Sequence, residues 1–192
     1  MVVRKKKEVV KQITTVEMEL AIAKYFGIRQ HIIVPNISWG FAMHECDLFI
    51  ITKAGCAIEI EIKRSKSDLL ADFEKGHNHI DRQNRITEFY YAMPEDLYEK
   101  CKDLIPENAG IITCYRWTDY MKRNRIDAHT KRKATRIKGA RKLTPEEQLR
   151  IARLGTMRIW TLKEKITKLQ KDGTTKKVRK PNKRKRLTKI GF

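Results

Sequence analysis

The sequence predicts an α/β (α+β) domain in which helices flank a mixed central sheet, in the order αβββαβ, followed by a basic helical extension. Helical and strand-like spacings of apolar residues alternate over residues 1–115, and 41% of the 192 residues are hydrophobic, which is enough for a core. Residues 1–115 hold 16 Lys and Arg against 17 Asp and Glu, whereas residues 116–192 hold 27 against 6. We therefore expect an α/β core over 1–116, a basic and partly helical extension over 117–170, and a basic flexible tail over 171–192.

The first helix is predicted over Thr15–Phe26, because Thr14 and Glu17 have the spacing of a capping box and Gly27 ends the helical run. Three short strands with apolar, β-branched residues follow, over 31–34, 46–52 and 56–63. The second and third strands flank the turn Lys53-Ala54-Gly55, so we expect them to form a hairpin.

The rest of the core alternates helices with strands. A helix, a strand, a helix and a strand are predicted over residues 67–75, 88–93, 95–102 and 109–115. Ser67 has the position of an N-cap for the first of these helices. Residues 118–142 are rich in Lys and Arg and show almost no strand pattern, and the next helix is predicted to start at Thr144-Pro145.

The sequence lacks the marks of a membrane-spanning or secreted protein. No apolar run approaches the roughly 20 residues that span a bilayer, and the charged residues 4–7 are not followed by an apolar stretch. The four cysteines lie far apart without a Cys-x-x-Cys pair, which is typical of reduced thiols and not of disulfides or zinc ligands. We therefore expect a cytoplasmic (intracellular) protein without a membrane partner.

The positive charge of residues 116–192 predicts a polyanion-binding region, and nucleic acid, DNA first, is the expected partner. Several phosphate contacts would give strong, salt-sensitive binding without sequence preference. The basic string at 176–186 also fits a nuclear-localisation signal or an rRNA-type tail, and the extension is a candidate surface for a homodimer or a protein partner. The residues expected to bind nucleic acid are Lys176, Lys177, Arg179, Lys180, Lys183, Arg184, Lys185 and Arg186.

The sharpest local signal is the alternation of apolar and charged residues in the strand that ends at Lys63. Because strand residues alternate between faces, the isoleucines share one face, and Glu59, Glu61 and Lys63 share the other. Taken alone, this pattern also fits the solvated face of an antiparallel strand. The preceding strand is almost wholly apolar, so Asp47 near its start needs a partner, and the hairpin brings Asp47 beside Glu61 and Lys63.

Asp47, Glu61 and Lys63 together suit metal-assisted hydrolysis of a phosphodiester. The carboxylates of Asp47 and Glu61, with the carbonyl of Ile62, are hard oxygen ligands of the kind that Mg²⁺ or Mn²⁺ prefers. Such an ion lowers the pKa of a bound water and offsets charge on the phosphate. Lys63 can orient or deprotonate the attacking water, or stabilise the pentavalent phosphorus, and the sequence leaves these roles open.

This set of residues resembles the PD-(D/E)XK nuclease superfamily, and more closely its MmcB-like branch, which is associated with DNA repair and has spread through phages. Cys46 stands where the proline of the motif would be. The resemblance implies a restriction-endonuclease-like core and an Mg²⁺- or Mn²⁺-dependent deoxyribonuclease, an endonuclease of DNA repair, recombination or phage DNA processing. It covers roughly residues 15–115, and 140–160 more loosely. The matching segments are Cys46-Asp-Leu48, Ile60-Glu-Ile-Lys63, Ser67-Asp-Leu-Leu-Ala-Asp72, Phe89-Tyr-Tyr-Ala-Met93 and Ile105-Pro-Glu-Asn-Ala-Gly-Ile-Ile112.

The resemblance also implies a further catalytic acid in the first helix, for which Glu17 and Glu19 are the candidates. On a helical wheel Glu19 falls inside an apolar arc, whereas Glu17 lies at its edge. That arc is formed by Ile13, Val16, Leu20 and Ala23, and Ile22 and Phe26 extend it. A carboxylate on a core-facing arc is costly unless it has a function or a cation, which favours Glu19; the alternative is a salt bridge at the rim of the core.

Two acids in the next helix, Asp68 and Asp72, belong to the matching segments. Asp68 lies near the start of the helix, where a carboxylate is stabilising, so capping is its expected role. Asp72 is interpreted either as the partner of a basic residue such as Lys63 or as a member of the site.

Two other functions stay open. The first is a nuclease-fold protein that binds DNA or RNA and cuts neither, and the presence of Asp47, Glu61 and Lys63 together argues against it. The second is an RNA-binding protein recruited by its basic tail, in which the acidic strand face is purely structural.

Overall fold

The computed structural model describes residues 12–37, 45–74 and 84–171. The helices are α1 (Thr15–Phe26), α2 (Lys66–Glu74), α3 (Glu95–Cys101) and α4 (Pro145–Lys171), and a 3₁₀ turn (Lys102–Leu104) follows α3. The strands are β1 (Ile32–Ile37), β2 (Cys46–Ile51), β3 (Ala57–Ile62), β4 (Ile86–Pro94), β5 (Gly110–Thr118) and β6 (Asn124–Arg132). The chain divides into two compact units between Gly155 and Thr156.

The six strands form one mixed sheet in which they stand in chain order. The pairs β1–β2, β2–β3 and β5–β6 are antiparallel, whereas β3–β4 and β4–β5 are parallel. The predicted α/β class, the mixed sheet and the flanking helices are therefore confirmed. Because β3 and β4 run parallel and β2 runs antiparallel to β3, the start of β2 and the ends of β3 and β4 lie side by side at the same end of the sheet.

The boundaries of α1 are those that the sequence predicts. Thr14 Oγ1 accepts a hydrogen bond from the Glu17 backbone N–H at 3.2 Å, and Glu17 Oε2 accepts one from the Thr14 backbone N–H at 2.8 Å. This reciprocal pair satisfies two backbone donors that a helix start leaves free. Gly27 ends the helix at φ 86°, a left-handed conformation that glycine adopts without strain.

The apolar arc predicted for α1 is right for Ile13 and Ile22, which belong to the core, and wrong for Val16 and Leu20. Met18, Ala21 and Ile22 are buried, while the side chains of Val16 and Leu20 are 61% and 56% exposed. Apolar residues occur on more than one side of this helix, so spacing alone does not select the buried side. The selection is made by the isoleucines of the sheet, with which Met18 and Ile22 form one core.

The two faces of the β2–β3 hairpin are both buried. Its apolar face, which packs with α1, consists of Leu48, Ile50, Ile58, Ile60 and Ile62. On the opposite face Phe49 packs with Leu143 and Ile151. That second face also carries Glu59 and Glu61, which are both buried. The acidic residues of β3 therefore lie inside the protein and not on a solvated face.

The sheet continues beyond the predicted core. Residues 118–142 are not free of strands as expected, because β6 pairs antiparallel with β5 from Thr118↔Asn124 to Ile111↔Arg132. The strand signal was obscured by charged residues, which suit a strand at the edge of a sheet. On β6 the apolar Ile126 and Ala128 pack against the α1 core.

The start of α2 also differs from the prediction. The helix begins at Lys66, and Ser65 Oγ accepts the backbone N–H of Asp68 at 3.1 Å, so Ser65 and not Ser67 caps it. Asp68 Oδ2 accepts the backbone N–H of Arg64 at 3.2 Å, which agrees with the expected capping role of Asp68. These bonds fix the turn that follows Lys63.

The predicted start of α4 is confirmed by a second capping box. Thr144 Oγ1 accepts the Glu147 backbone N–H at 3.3 Å, and Glu147 Oε2 accepts the Thr144 backbone N–H at 2.8 Å. Among the helices of the described residues, none is long and apolar enough to cross a membrane.

Candidate active site

The hairpin brings Asp47 and Glu61 together on one face. Phe49 pairs with Glu59 and Leu48 with Ile60, so Asp47 and Glu61 stand one residue beyond the last paired residues. There the Asp47 carboxylate replaces a backbone partner: its Oδ2 accepts the Ile62 backbone N–H at 2.7 Å. The N–H and C=O of one strand residue point to the same side, so the Ile62 carbonyl faces the Asp47 side of β3.

Lys63 lies at the centre of a buried group of polar side chains, here called the lysine cluster (Glu61, Lys63, Asp72 and Tyr91). Lys63 Nζ donates to Glu61 Oε2 at 3.1 Å and to Asp72 Oδ1 at 2.7 Å. Tyr91 Oη donates to Asp72 Oδ2 at 3.0 Å. Asp72 thus pairs with Lys63, which is the first of its two interpretations. All four residues are less than 9% exposed.

Three elements hold this cluster in place. Glu61 is near the end of β3, and Tyr91 stands opposite it in the parallel register with β4. Asp72 is buried on α2, together with Leu69, which lies in the same core as Tyr91. The backbone N–H of Lys63 donates to the Ala92 carbonyl at 2.8 Å, so the lysine continues the β3–β4 ladder beyond the last strand residue.

The pKa values of Glu61 and Lys63 are both raised, but by different causes. Burial raises the pKa of Glu61 to about 7, and the charge of Asp47 adds to this increase, although Lys63 opposes it. Burial also raises the pKa of Asp47, against the hydrogen bond from Ile62. For Lys63, burial lowers the pKa, but the bonds and charges of Asp72 and Glu61 outweigh it, so the pKa is raised. Lys63 is therefore a cation at neutral pH.

Glu19 lies on α1, which packs against the apolar face of the β2–β3 hairpin, and its charge interacts with that of Asp47. Its Oε1 accepts a hydrogen bond from Asn36 Nδ2 at 3.2 Å. Asn36 lies between the pairs Pro35↔Leu48 and Ile37↔Cys46 and has a left-handed backbone, φ 54°. Burial raises the pKa of Glu19, and the negative charge of Asp47 raises it further.

Glu17 points elsewhere. Besides its capping bonds, its Oε1 accepts a hydrogen bond from Arg116 Nη2 at 3.2 Å, which is a salt bridge at the rim of the core. Of the two candidate acids in the first helix, Glu19 is therefore the one near Asp47.

The donor chemistry of this site fits a hard divalent cation in part. Within residues 12–37, 45–74 and 84–171, no three His, Cys, Asp or Glu side chains form a ready-made metal site. Magnesium, however, is commonly held by one or two carboxylates, with waters and substrate phosphates as the other ligands. The buried Oε1 of Glu61 has no hydrogen-bond partner among the described residues. Asp47 and Glu61 thus offer a carboxylate pair that includes an unsatisfied oxygen.

The predicted nucleic-acid-binding residues of the tail lie outside the described residues. They are Lys176, Lys177, Arg179, Lys180, Lys183, Arg184, Lys185 and Arg186.

Sequence reasoning missed two residues of the site, Tyr91 and Asn36. Tyr91 appears in the sequence as an ordinary strand tyrosine, and its place opposite Glu61 depends on a parallel register between strands that α2 separates. Asn36 follows Pro35 and has a left-handed backbone, which asparagine adopts more readily than most residues. The Pro-Asn pair that directly follows a predicted strand was therefore the signal in the sequence.

Replacing Tyr91 with Phe should lower the free energy of unfolding by about 1.5–3 kcal/mol, because Asp72 Oδ2 loses a buried hydrogen-bond donor. The matched control is Tyr25→Phe: Tyr25 is an exposed residue of α1, and its hydroxyl forms a hydrogen bond with Thr130 Oγ1 at 2.9 Å. That variant should lose less than about 1 kcal/mol, since water can replace the bond. Urea unfolding of both variants measures the difference, and equal losses would contradict the assigned role of Tyr91.

Comparison with known proteins gives a likeness of fold. No family model matches the sequence, and no curated protein matches it. Among solved structures, the SPO1766 protein of Silicibacter pomeroyi, itself of unknown function, is similar with a TM-score of 0.52 at 14% identity. The match covers 88% of this chain and 100% of that one. At this identity the likeness concerns the fold alone.

Proposed function

We propose that this protein is a Mg²⁺- or Mn²⁺-dependent deoxyribonuclease of the PD-(D/E)XK type, with a restriction-endonuclease-like core, that hydrolyses DNA phosphodiester bonds in repair, recombination or phage DNA processing. The observation that carries the proposal is the Glu61 carboxylate beside Asp47: it is buried, and its Oε1 has no hydrogen-bond partner within the described residues. An unsatisfied buried acceptor costs about 1–3 kcal/mol, and a bound cation would satisfy it.

In this proposal Asp47 and Glu61 hold the metal, with the Ile62 carbonyl as a further ligand. When bound, the ion supplies a Lewis acid that lowers the pKa of a water and offsets charge on the phosphate. Lys63, kept cationic by Asp72 and Glu61, acts through its positive charge on the phosphate. This choice among the roles left open by the sequence follows from its raised pKa. Glu19 completes the site beside Asp47 as an acceptor for a water.

DNA is the proposed substrate because the basic residues 116–192 suit a polyanion and the proposed site suits the hydrolysis of a phosphodiester. The excess of Lys and Arg in residues 116–192 suits a phosphate backbone, and the binding it supplies is independent of sequence. Residues 1–115, whose net charge is close to zero, carry the proposed catalytic residues.

One observation favours a second candidate, a nuclease-fold protein that binds nucleic acid without cutting it. Lys63 Nζ already neutralises Glu61 and Asp72, at 3.1 Å and 2.7 Å, so a structural ion pair accounts for part of their burial without a metal. Such a protein would bind DNA equally well in EDTA and in Mg²⁺.

The test is cleavage of plasmid, linear duplex, branched and single-stranded DNA with Mg²⁺ or Mn²⁺. Asp47→Asn should reduce the rate by at least about 100-fold, because it removes a charged ligand while its amide oxygen can still accept the Ile62 N–H. The control is Asp127→Asn on β6, whose carboxylate accepts a hydrogen bond from Trp117 far from the cluster. No cleavage by the wild type on any substrate, or full activity of Asp47→Asn, would favour the second candidate.

A further inference from the structure

A cavity of about 910 Å³ opens at the end of the sheet where β3 and β4 finish, lined by residues that directly follow these strands. Its wall begins at Arg64, the residue after Lys63, and continues past Pro94 at the end of β4 to Arg116 on β5. Its volume lies in the range of pockets that bind small molecules, about 300–1,000 Å³. Clefts at the carboxyl ends of parallel strands are frequent ligand sites.

Four cationic side chains line the cavity from different elements. Arg64 and Lys66 come from the turn after β3 and the start of α2, Lys100 comes from α3, and Arg116 comes from β5. The buried Nε of Arg116 has no hydrogen-bond partner within the described part of the chain, although its Nη2 donates to Glu17 at 3.2 Å. Arginine and lysine converging from several elements are suited to a phosphate group.

Two carboxylates, Glu95 and Asp96, also line the cavity, but they do not cancel this charge. Glu95 Oε1 accepts a hydrogen bond from Lys131 Nζ at 2.9 Å, so part of its charge is offset from outside the cavity. Asp96 leaves an acceptor that can bind a hydroxyl or amino group of a ligand.

The remaining wall is apolar and contains an aromatic ring. Ile13 and Leu97 contribute aliphatic surface, and Tyr115 contributes a half-buried phenol. Aromatic side chains stack on nucleobases of any type, because every base has a π-face. An inorganic anion would leave this wall unused.

We propose that the cavity binds a phosphate-bearing nucleotide, with the phosphate on Arg64, Lys66, Lys100 and Arg116 and the base against Tyr115. Two ligands present this chemistry: a free nucleotide and a nucleotide within a nucleic-acid strand. A free nucleotide would bind independently of the proposed function. A nucleotide within a nucleic-acid strand, next to the bond being cut, rests on the proposed nuclease function.

Calorimetry on the full chain in EDTA tests this without any cleavage. The ligands are thymidine 5′-monophosphate, a 5′-phosphorylated thymidine dinucleotide, and thymidine, which lacks the phosphate. Arg64→Gln/Lys100→Gln should weaken the binding of both phosphorylated ligands at least about tenfold, because it removes two charged donors. Lys53→Gln/Lys138→Gln is the matched control: it removes the same charge from two exposed lysines that do not line the cavity, and should change binding less than about twofold.

Arg116→Lys is a second variant that keeps the charge facing Glu17, so it tests the cavity even if the double variant fails to fold. It should weaken binding of the phosphorylated ligands, because lysine lacks the planar donor set of arginine. Tighter binding of the dinucleotide supports the strand-borne nucleotide, and equal binding supports the free one. Absence of binding, equal binding of thymidine, an equal loss in the control variant, or equal competition by poly-glutamate would each overturn the proposal. Because EDTA prevents cleavage, a failure here is distinct from a failure of the nuclease assay.

Discussion

Glu61→Gln should make the protein more stable at pH 8, by about 3 kcal/mol, while it abolishes the binding of divalent metal. The cause is the carboxylate's burial, which raises its pKa to about 7 in the folded protein, above the ordinary glutamate value of 4.5. Keeping this group charged inside the protein therefore costs about 1.4 kcal/mol for each pH unit between the two values. Glutamine removes the charge and keeps an oxygen that accepts the Lys63 bond.

The pH dependence has a definite sign. Below about pH 4.5 Glu61 is protonated in both folded and unfolded chains, and it imposes no penalty. As the pH rises towards 7 the unfolded chain loses this proton first, so the folded protein becomes less stable, and above 7 the full penalty is present. The stability difference between Glu61→Gln and wild type should therefore grow between pH 4.5 and 7. Urea unfolding in EDTA across this range measures it.

At pH 8, a high concentration of divalent metal should make the wild type more stable than Glu61→Gln. An ion that binds only the folded wild type stabilises it by about 1.4 kcal/mol at ten times its dissociation constant and by about 4 kcal/mol at a thousand times, so the higher concentration is needed to exceed the difference of about 3 kcal/mol. The melting temperature of the wild type should rise with Mg²⁺ or Mn²⁺, and those of Glu61→Gln and Asp47→Asn should not. Glu107→Gln, an exposed position, is the control and should respond like wild type. A wild type unaffected by either ion, or a destabilised Glu61→Gln, would contradict this interpretation of Glu61.

The core of the site was predictable because its information is local. Asp47, Glu61 and Lys63 lie on two strands joined by a three-residue turn, and a period of two assigns their faces without knowledge of the remaining fold. Burial of Glu59 and Glu61 on that face was not evident from the strand, because it depends on α2 and on residues as distant as Leu143 and Ile151.

The structural features that the sequence did not predict depend on contacts between residues that lie far apart in the chain. Asp72 meets Tyr91 only through the parallel β3–β4 register, and no local pattern encodes that register. Strand β6 was missed because charged residues on an edge strand obscure its alternation. The burial of Met18 instead of Leu20 was decided by the sheet that α1 meets.

Lys63→Met should destabilise the protein by about 3–5 kcal/mol at pH 8, the loss expected when one member of a buried ion cluster is removed. Methionine has nearly the length of lysine, so the loss is electrostatic: the buried carboxylates of Glu61 and Asp72 lose their ion pairs with Lys63. Lys138→Met, at an exposed position, should change stability by less than about 0.5 kcal/mol.

A double-mutant cycle separates this electrostatic loss from a packing defect. Adding Asp72→Asn to Lys63→Met should recover about 1–3 kcal/mol, because asparagine removes a buried charge that Lys63 no longer offsets, and its amide oxygen still accepts the Tyr91 hydroxyl. The loss in Lys63→Met should also shrink as the pH falls and the buried carboxyls take up protons, whereas a cavity or a steric clash would cost the same at every pH. Urea unfolding of the four proteins at pH 5 and pH 8 distinguishes these cases. Strict additivity at both pH values would mean that Lys63 stabilises the fold by packing alone, and its assignment as the cation of the site would then have to be withdrawn.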